Sequence, residues 1–521
     1  MKKTCVNFMK NILRGIEHNI AEHADKIYDK EIDVVGNPLF NDLARDMELD
    51  LEREYKFIKF PLFFTKEPDG EINVCSVCFG VLSLMVNDAK LDKVTEEYLN
   101  AAINSLILLH LSSKDETNDQ EFIFWPRNYY LGTTQGDAGT LNQTSLSLSV
   151  LSLLGFLDKK SHLTGKNISN IAFKNRLLFI IKALKWILNN QKIDALGAAW
   201  SYATKSTSIN NKPINTAVLP TYYCIKTIDK YLNIFKNDKE IMDILKELYP
   251  NLISEMEESI KLGVKYLVAS QNQDGGIGRN NVEASSSYVH SILALQILIT
   301  YDINEYEAIG KYFNYIIKFS PNFILKHIEK DVFEKCRYQV FRLIPNKINE
   351  EESKKWIDIY DTENFEIFPE CMIIISSLDI LDYLRSNYVD HKKYIKYFCK
   401  LIYIMYKNFL KRIDIDENNV YIRGRRKEKE LEYPIYCLYY GKKSIRRLLK
   451  HDELTLKKLL NKRITFDKWL LIICIVALLS ISVSIFLDCK ATIIASLTTL
   501  VASLVTIIFK KLKGDQLKWK N

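Results

Sequence analysis

Two charge-free runs near the C-terminus constrain this chain more than any other feature. Trp469 to Leu487 and Ala491 to Phe509 are nineteen residues each, separated only by Asp488-Cys489-Lys490. At about 1.5 Å rise per residue, a helix over either run spans about 28 Å, the thickness of a hydrocarbon core, and buried globular helices seldom carry so long an uncharged stretch. A transmembrane helical hairpin is therefore expected over 469–509. Lys457, Lys458, Lys462, Arg463 and Lys468 precede it, and Lys510, Lys511, Lys513, Lys518 and Lys520 follow it. Positive flanks on both sides place the N- and C-termini in the cytoplasm, giving a two-span protein of the cell membrane. Residues 441–468, with Lys442, Lys443, Arg446 and Arg447, read as a basic juxtamembrane linker drawn to anionic lipid or simply setting topology, and 510–521 as a basic tail. Ala491, Ala495, Thr499 and Ser503 share one helix face, which suits packing inside the hairpin or homo-oligomerisation through it.

The formal charge of +8 is unevenly placed. Residues 441–521 hold sixteen Lys/Arg and five Asp/Glu, a net of +11, so residues 1–440 carry 8 − 11 = −3. A nucleic-acid groove would need a positive stripe on the body, and the only such concentration there is Arg423 to Lys429, so no nucleic-acid partner is expected. The ten cysteines have no framework spacing and are expected to be reduced thiols.

Residues 1–440 show helical rather than alternating apolar periodicity, for example over Ile181–Asn190, Ser259–Ala269, Tyr288–Tyr301 and Cys371–Leu384, so an all-α body is expected, with N-terminal helices in residues 1–50. Phe8, Met9, Ile12, Leu13, Ile16 and Ile20 give the first helix an apolar side for docking on the body or lying on a membrane. The body is punctuated: an amphipathic helix ends at a polar, Gly-containing loop, and a Ser/Thr/Tyr-rich segment opens the next helix. The clearest copy runs through Gln271-Asn272-Gln273-Asp274-Gly275-Gly276-Ile277-Gly278 into Ser285–Tyr288, and a second from Gln191 to Trp200 and on to Thr216. Weaker echoes occur at Asp69-Gly70, at Gly136–Gly139 and around Phe368, with a sixth at Asp416 to Tyr436. Six stacked helix pairs closing on themselves make an (α/α)6 toroid, whereas an open solenoid would need more uniform repeats.

These motifs resemble the repeat of squalene and oxidosqualene cyclases and of protein prenyltransferase β-subunits. The resemblance covers roughly residues 50–440 and implies a toroid handling an isoprenoid or other lipid. It also implies that Gln191, Trp200, Gln271, Asp274, Gly275, Gly276 and Gly278 are structural, the Gln and acidic side chains clamping loops to helices. A cyclase needs a strong acid held by carboxylates in an aromatic pocket. The family's Asp-x-Asp-Asp is matched only by Asp414-Ile415-Asp416-Glu417, which makes Asp414 and Asp416 the candidate acids and a solvated turn the competing reading. Asp358 and Asp361 form another carboxylate pair. A prenyltransferase needs Asp, Cys and His on zinc, and no Asp-x-Cys occurs; Cys75 and Cys78 read as core residues, so no metal or cofactor is expected. Phe122 to Trp125, Tyr129-Tyr130 and Tyr222-Tyr223 could line a lipid pocket or fill a core. Two functions follow: a membrane-anchored, isoprenoid- or lipid-handling protein with or without catalysis, or a non-catalytic effector or sensor, as in bacterial antiviral defence, whose toroid receives a signal or partner. A deep aromatic lumen with converging carboxylates would favour the first, and a filled or polar lumen the second.

Overall fold

A computed structural model describes residues 7–19, 74–85, 101–107, 109–114, 120–126, 141–157, 173–194, 196–201, 216–281, 286–301, 306–318, 369–387, 392–410, 412–416, 419–422, 426–427, 430–431 and 435–451. The expected hairpin at 469–509, the linker from 452 to 468 and the tail at 510–521 lie outside them, as do Asp69-Gly70, Gly136–Gly139, Tyr129-Tyr130, Asp358, Asp361, Lys468, Lys510 and Lys511. Among the described residues no helix is long and apolar enough to cross a membrane.

The described helices are α1 (7–19), α2 (Val74–Met85), α3 (101–107), α4 (Leu141–Leu153), α5 (Phe173–Asn189), α6 (Val218–Asn237), α7 (Lys239–Leu248), α8 (Leu252–Ala269), α9 (Tyr288–Thr300), α10 (Tyr306–Lys318), α11 (Pro369–Asn387), α12 (Lys392–Leu410) and α13 (Ile435–Lys450). Six of them form a closed ring. Helix α2 packs on α4, α4 on α6, α6 on α9, α9 on α11, α11 on α13, and α13 returns to α2. Outer helices lie against this ring: α5 on α4, α8 on α6, α10 on α9 and α12 on α11.

Sequence chemistry separates the two layers. Helices α2, α4 and α9 contain no charged residue because both of their sides are covered, while α5, α8, α10 and α12 carry charges on one face and apolar residues on the other. Cross-helix pairs fix direction. Cys75 and Cys78 of α2 meet Gln143 and Ser147 of α4, Ser145 and Ser149 of α4 meet Cys224 and Thr227 of α6, and Ser83 and Phe79 of α2 meet Lys442 and Tyr439 of α13. Residue numbers rise together in each pairing, so these neighbours run parallel. Parallel neighbours require a return segment on the outside, and the outer helices supply it.

The body is not purely helical. Short antiparallel hairpins stand between outer and inner helices: β1 (Leu111–Lys114) with β2 (Glu121–Phe124), β3 (Lys192–Asp194) with β4 (Gly197–Ala199), and β5 (Ile413–Asp416) with β6 (Asn419–Ile422). A small pair, β7 (Arg426–Lys427) with β8 (Glu430–Leu431), follows. Strands of two to four residues are too short for a period of two to show against the helical pattern, which is why an all-α body was the expectation.

The polar loops are clamps. Gln191 donates to Ala198 O of its own hairpin (3.2 Å) and to Ser259 O of the next outer helix (2.9 Å), and accepts from the Ser259 hydroxyl. Gln271 repeats this, donating to Gly275 O (2.9 Å) and Ala308 O (3.1 Å). Asp274 accepts from Gly276 N and the Ser286 hydroxyl. Trp200 is fully buried; its indole N–H donates to Ile187 O (2.9 Å) and its backbone N–H to Thr221 Oγ1 (3.2 Å). Gly275 has φ +88°, and a Cβ there would lie 2.7 Å from Lys311 O. Gly275→Ala is expected to cost about 1–3 kcal/mol, because a left-handed backbone and a carbonyl clash coincide. Equilibrium unfolding against Gly310→Ala, where an added Cβ meets nothing within 4 Å, measures it.

Candidate functional site

A group of polar side chains that the clamps do not use converges on the ring axis. Helix α6 faces α13 across the ring, and the Tyr223 and Tyr440 hydroxyls meet at 2.8 Å, so side chains bridge the lumen at this level. A hydrogen-bonded belt continues around the inside. Tyr222 donates to Gln296 Oε1 of α9 (3.1 Å), which also accepts from Ser376 of α11 (2.7 Å). The Gln296 amide donates to Asp379, and Asp379 accepts from Arg447 of α13 at 2.5 Å. Arg447 also pairs with Asp382 at 3.6 Å, and His451 lies 3.1 Å from the same carboxylate. Four inner helices are thus joined through side chains alone.

Three lysines stand beside this belt. Lys226 donates to the Tyr222 hydroxyl (2.9 Å) and sits over its ring, and Lys443 does the same with Tyr439 at 3.0 Å. Lys230 donates to Ser149 O (3.2 Å). Burial, helped by the charge of Lys443, pushes the Lys230 ammonium down to about 8. Lys443 is held above its ordinary value, first by the Tyr439 hydroxyl, with Tyr222 and Asp379 adding to it against burial. Lys443 therefore stays charged, and the mutual repulsion falls on Lys230. An aromatic group of Phe79, Tyr436, Tyr439 and Tyr440 closes the α2–α13 side.

The basic residues expected beside the bilayer sit differently. Helix α13 runs unbroken across residue 440, so the folded body extends through His451. Lys442 is buried, donating to Ser83 O (2.5 Å) with Glu17 at 3.6 Å, and Arg446 pairs with Glu17 at 2.9 Å. Lys443 and Arg447 face the lumen. A helix that closes a ring presents faces to the lumen, to both neighbours and to α1, and its basic residues are spread among those faces. The apolar side of α1 is docked on the ring through Met9, Ile12 and Ile16, with Asn19 donating to Val420 O.

Asp414 lies half-buried in β5, opposite Tyr421, on the hairpin that packs against α13; the side chain of Asp416 is outside the description. Asp414 is no part of the lumen belt. Cys75 and Cys78 are buried between α2 and α4, and Gly278 is buried beyond Ile277. Trp125 is a further copy of the Trp200 clamp, with its indole on Leu106 O (2.7 Å) and its backbone N–H on Thr144 Oγ1 (3.1 Å). Thr144, Thr221 and Ser291 are each the fourth residue of an inner helix, and the third takes the Ile277 N–H. Sequence reading missed this alignment. The signal was present as Trp125…Thr144 and Trp200…Thr221, but loops of different length separate the partners.

No protein-family profile matches this chain, and no curated protein matches its sequence. Among solved structures it is similar to Candida albicans protein geranylgeranyltransferase-I complexed with GGPP, at 12% identity over 72% of this chain and 83% of that one, with a TM-score of 0.41. It is also similar to a GH76 α-mannanase of Bacteroides thetaiotaomicron, at 10% identity over 86% and 97%, with a TM-score of 0.39. At TM-scores below 0.5 neither likeness fixes this fold; the ring does so through its own contacts.

Proposed function

We propose that this chain is a membrane-tethered, non-catalytic receptor or effector: a helical ring that recognises a ligand in its lumen and passes the bound state through α13 to a C-terminal hairpin in the bilayer. One observation carries the reading. The lumen is crossed by the Tyr223–Tyr440 hydrogen bond and belted by Tyr222, Gln296, Asp379 and Arg447, so it is polar and bridged where a cyclase-type pocket would be open and aromatic. The carboxylates of the belt are engaged by Arg447, Gln296 and His451. The tether rests on the two uncharged runs of the sequence, and α13, which shares the belt, is the last described helix before them.

A second reading, an isoprenoid- or lipid-handling ring, draws on the aromatic group of Phe79, Tyr436, Tyr439 and Tyr440. One purification separates the two. The full chain is expected to resist alkaline carbonate extraction, to need detergent for release, and to yield bulk phospholipid alone on solvent extraction and mass spectrometry. A stoichiometric isoprenoid or other single lipid in that extract overturns the first reading, and recovery in the soluble fraction without detergent removes the tether.

A further inference from the structure

Charge is not balanced around the ring axis. The carboxylates on the belt, Asp379 and Asp382, are taken by Arg447, with His451 on Asp382. Lys226, Lys230 and Lys443 are left with neutral partners: a tyrosine hydroxyl, a backbone carbonyl and a second tyrosine hydroxyl. Among the described residues no carboxylate lies within ion-pair distance of any of the three. Asp229, adjacent to Lys230 in sequence, is hydrogen-bonded to Tyr301. Lys226 is exposed, and Lys230 and Lys443 are partly so, which leaves solvent access to the cluster. Asp379 attracts Lys443 without lying at ion-pair distance from it, and gathering three ammonium groups that have no ion-pair partner is unfavourable unless an anion joins them. The tyrosine hydroxyls beside them add donors suited to phosphate oxygens.

We infer that the lumen cluster of Lys226, Lys230 and Lys443, from α6 and α13, is a binding site for a compact multivalent phosphate anion that carries no long apolar chain. The first part rests on the three cations and their neutral partners. The second rests on the Tyr223–Tyr440 bridge, which spans the ring between α6 and α13, the two helices that carry the cluster, and takes up space an apolar chain would need. The inference deepens the receptor reading given above and rests on it, since it names the ligand class for the same lumen.

The test uses the full chain in detergent, titrated calorimetrically with inorganic pyrophosphate, ATP and farnesyl diphosphate, with sodium chloride at matched ionic strength as control. Pyrophosphate or ATP is expected to bind with one site per chain and to raise the unfolding temperature beyond the chloride control. Lys230→Gln and Lys443→Gln are each expected to weaken binding at least tenfold, and Lys230→Arg to retain it. Without ligand, Lys230→Gln is expected to unfold no lower than the unaltered protein, because the charge it removes has no ionic partner. Absence of binding by all three probes, or binding unaltered by both Gln variants, overturns the site. A lower unfolding temperature in both Gln variants, with no anion effect, assigns the lysines to structure and also overturns it. Farnesyl diphosphate binding tenfold tighter than pyrophosphate, lost in Lys443→Gln, overturns the chain-free ligand and the receptor reading together. An extract free of isoprenoid combined with no anion binding sinks this inference alone.

Discussion

Trp200→Ala is expected to destabilise the folded body by about 3–5 kcal/mol, the range for deleting a fully buried large aromatic side chain. Three losses coincide. The indole has no solvent exposure, its N–H satisfies Ile187 O at the end of α5, and its ring lies against Gly263, where an added Cβ would come within 3.0 Å of it. The close approach of α8 to the β3–β4 hairpin depends on that glycine and that ring together, so the vacated space cannot be refilled by a small shift of α8. Trp200→Phe keeps most of the volume and loses the hydrogen bond, and is expected to cost about 1–2 kcal/mol. Thermal unfolding at a fixed scan rate, followed by circular dichroism in detergent, separates the variants. Equal midpoints for Trp200→Ala and the unaltered chain would remove the clamp from the account of stability.

A comparable effect is expected at the start of α11. Glu370 and Arg412 form an ion pair with side-chain exposures of 3% and 8%, joined by Arg412 Nε and an Nη atom to one carboxylate oxygen at 2.8 Å each. Arg412→Met is expected to cost about 3–5 kcal/mol because it strands a carboxylate in the core beside the buried thiols of Cys371 and Cys437. Converting both residues, Glu370→Leu with Arg412→Met, is expected to restore stability to within about 1 kcal/mol, since the desolvation cost of both ions disappears with their attraction. A double variant as unstable as the single one would show that the pair holds α11 and the α12–β5 connection by geometry rather than by charge balance.

The positions of the helices were largely legible. Tyr288–Tyr301 and Cys371–Leu384 fall on α9 and α11 with shifts of a few residues, and the proposed sixth repeat at Asp416 to Tyr436 contains β6 and the start of α13. Periodicity works at such positions because each helix has a covered side and burial selects residues by their spacing. The two best repeats were legible for a related reason: a Gly with positive φ and a Gln gripping two carbonyls demand particular residues at particular spacings. The lumen belt was not legible. Tyr222, Gln296, Asp379 and Arg447 are separated by 68 to 83 residues at each hydrogen bond, and nothing local marks them as partners. Lys443 and Arg447 were read with the basic stretch that follows, because linear charge density does not reveal which face of a helix a residue occupies.

By itself the sequence determined where the chain would be helical and where it would turn, because propensity and backbone freedom act over a few neighbouring residues. Only the tertiary structure decided that α13 returns to α2 and shuts the ring. That closure set the lysines of α6 and α13 on one axis with the carboxylates of α11 already engaged. Convergence of this kind depends on the curvature accumulated over six inner helices and on loops of unequal length, quantities to which no local stretch of residues contributes a readable share.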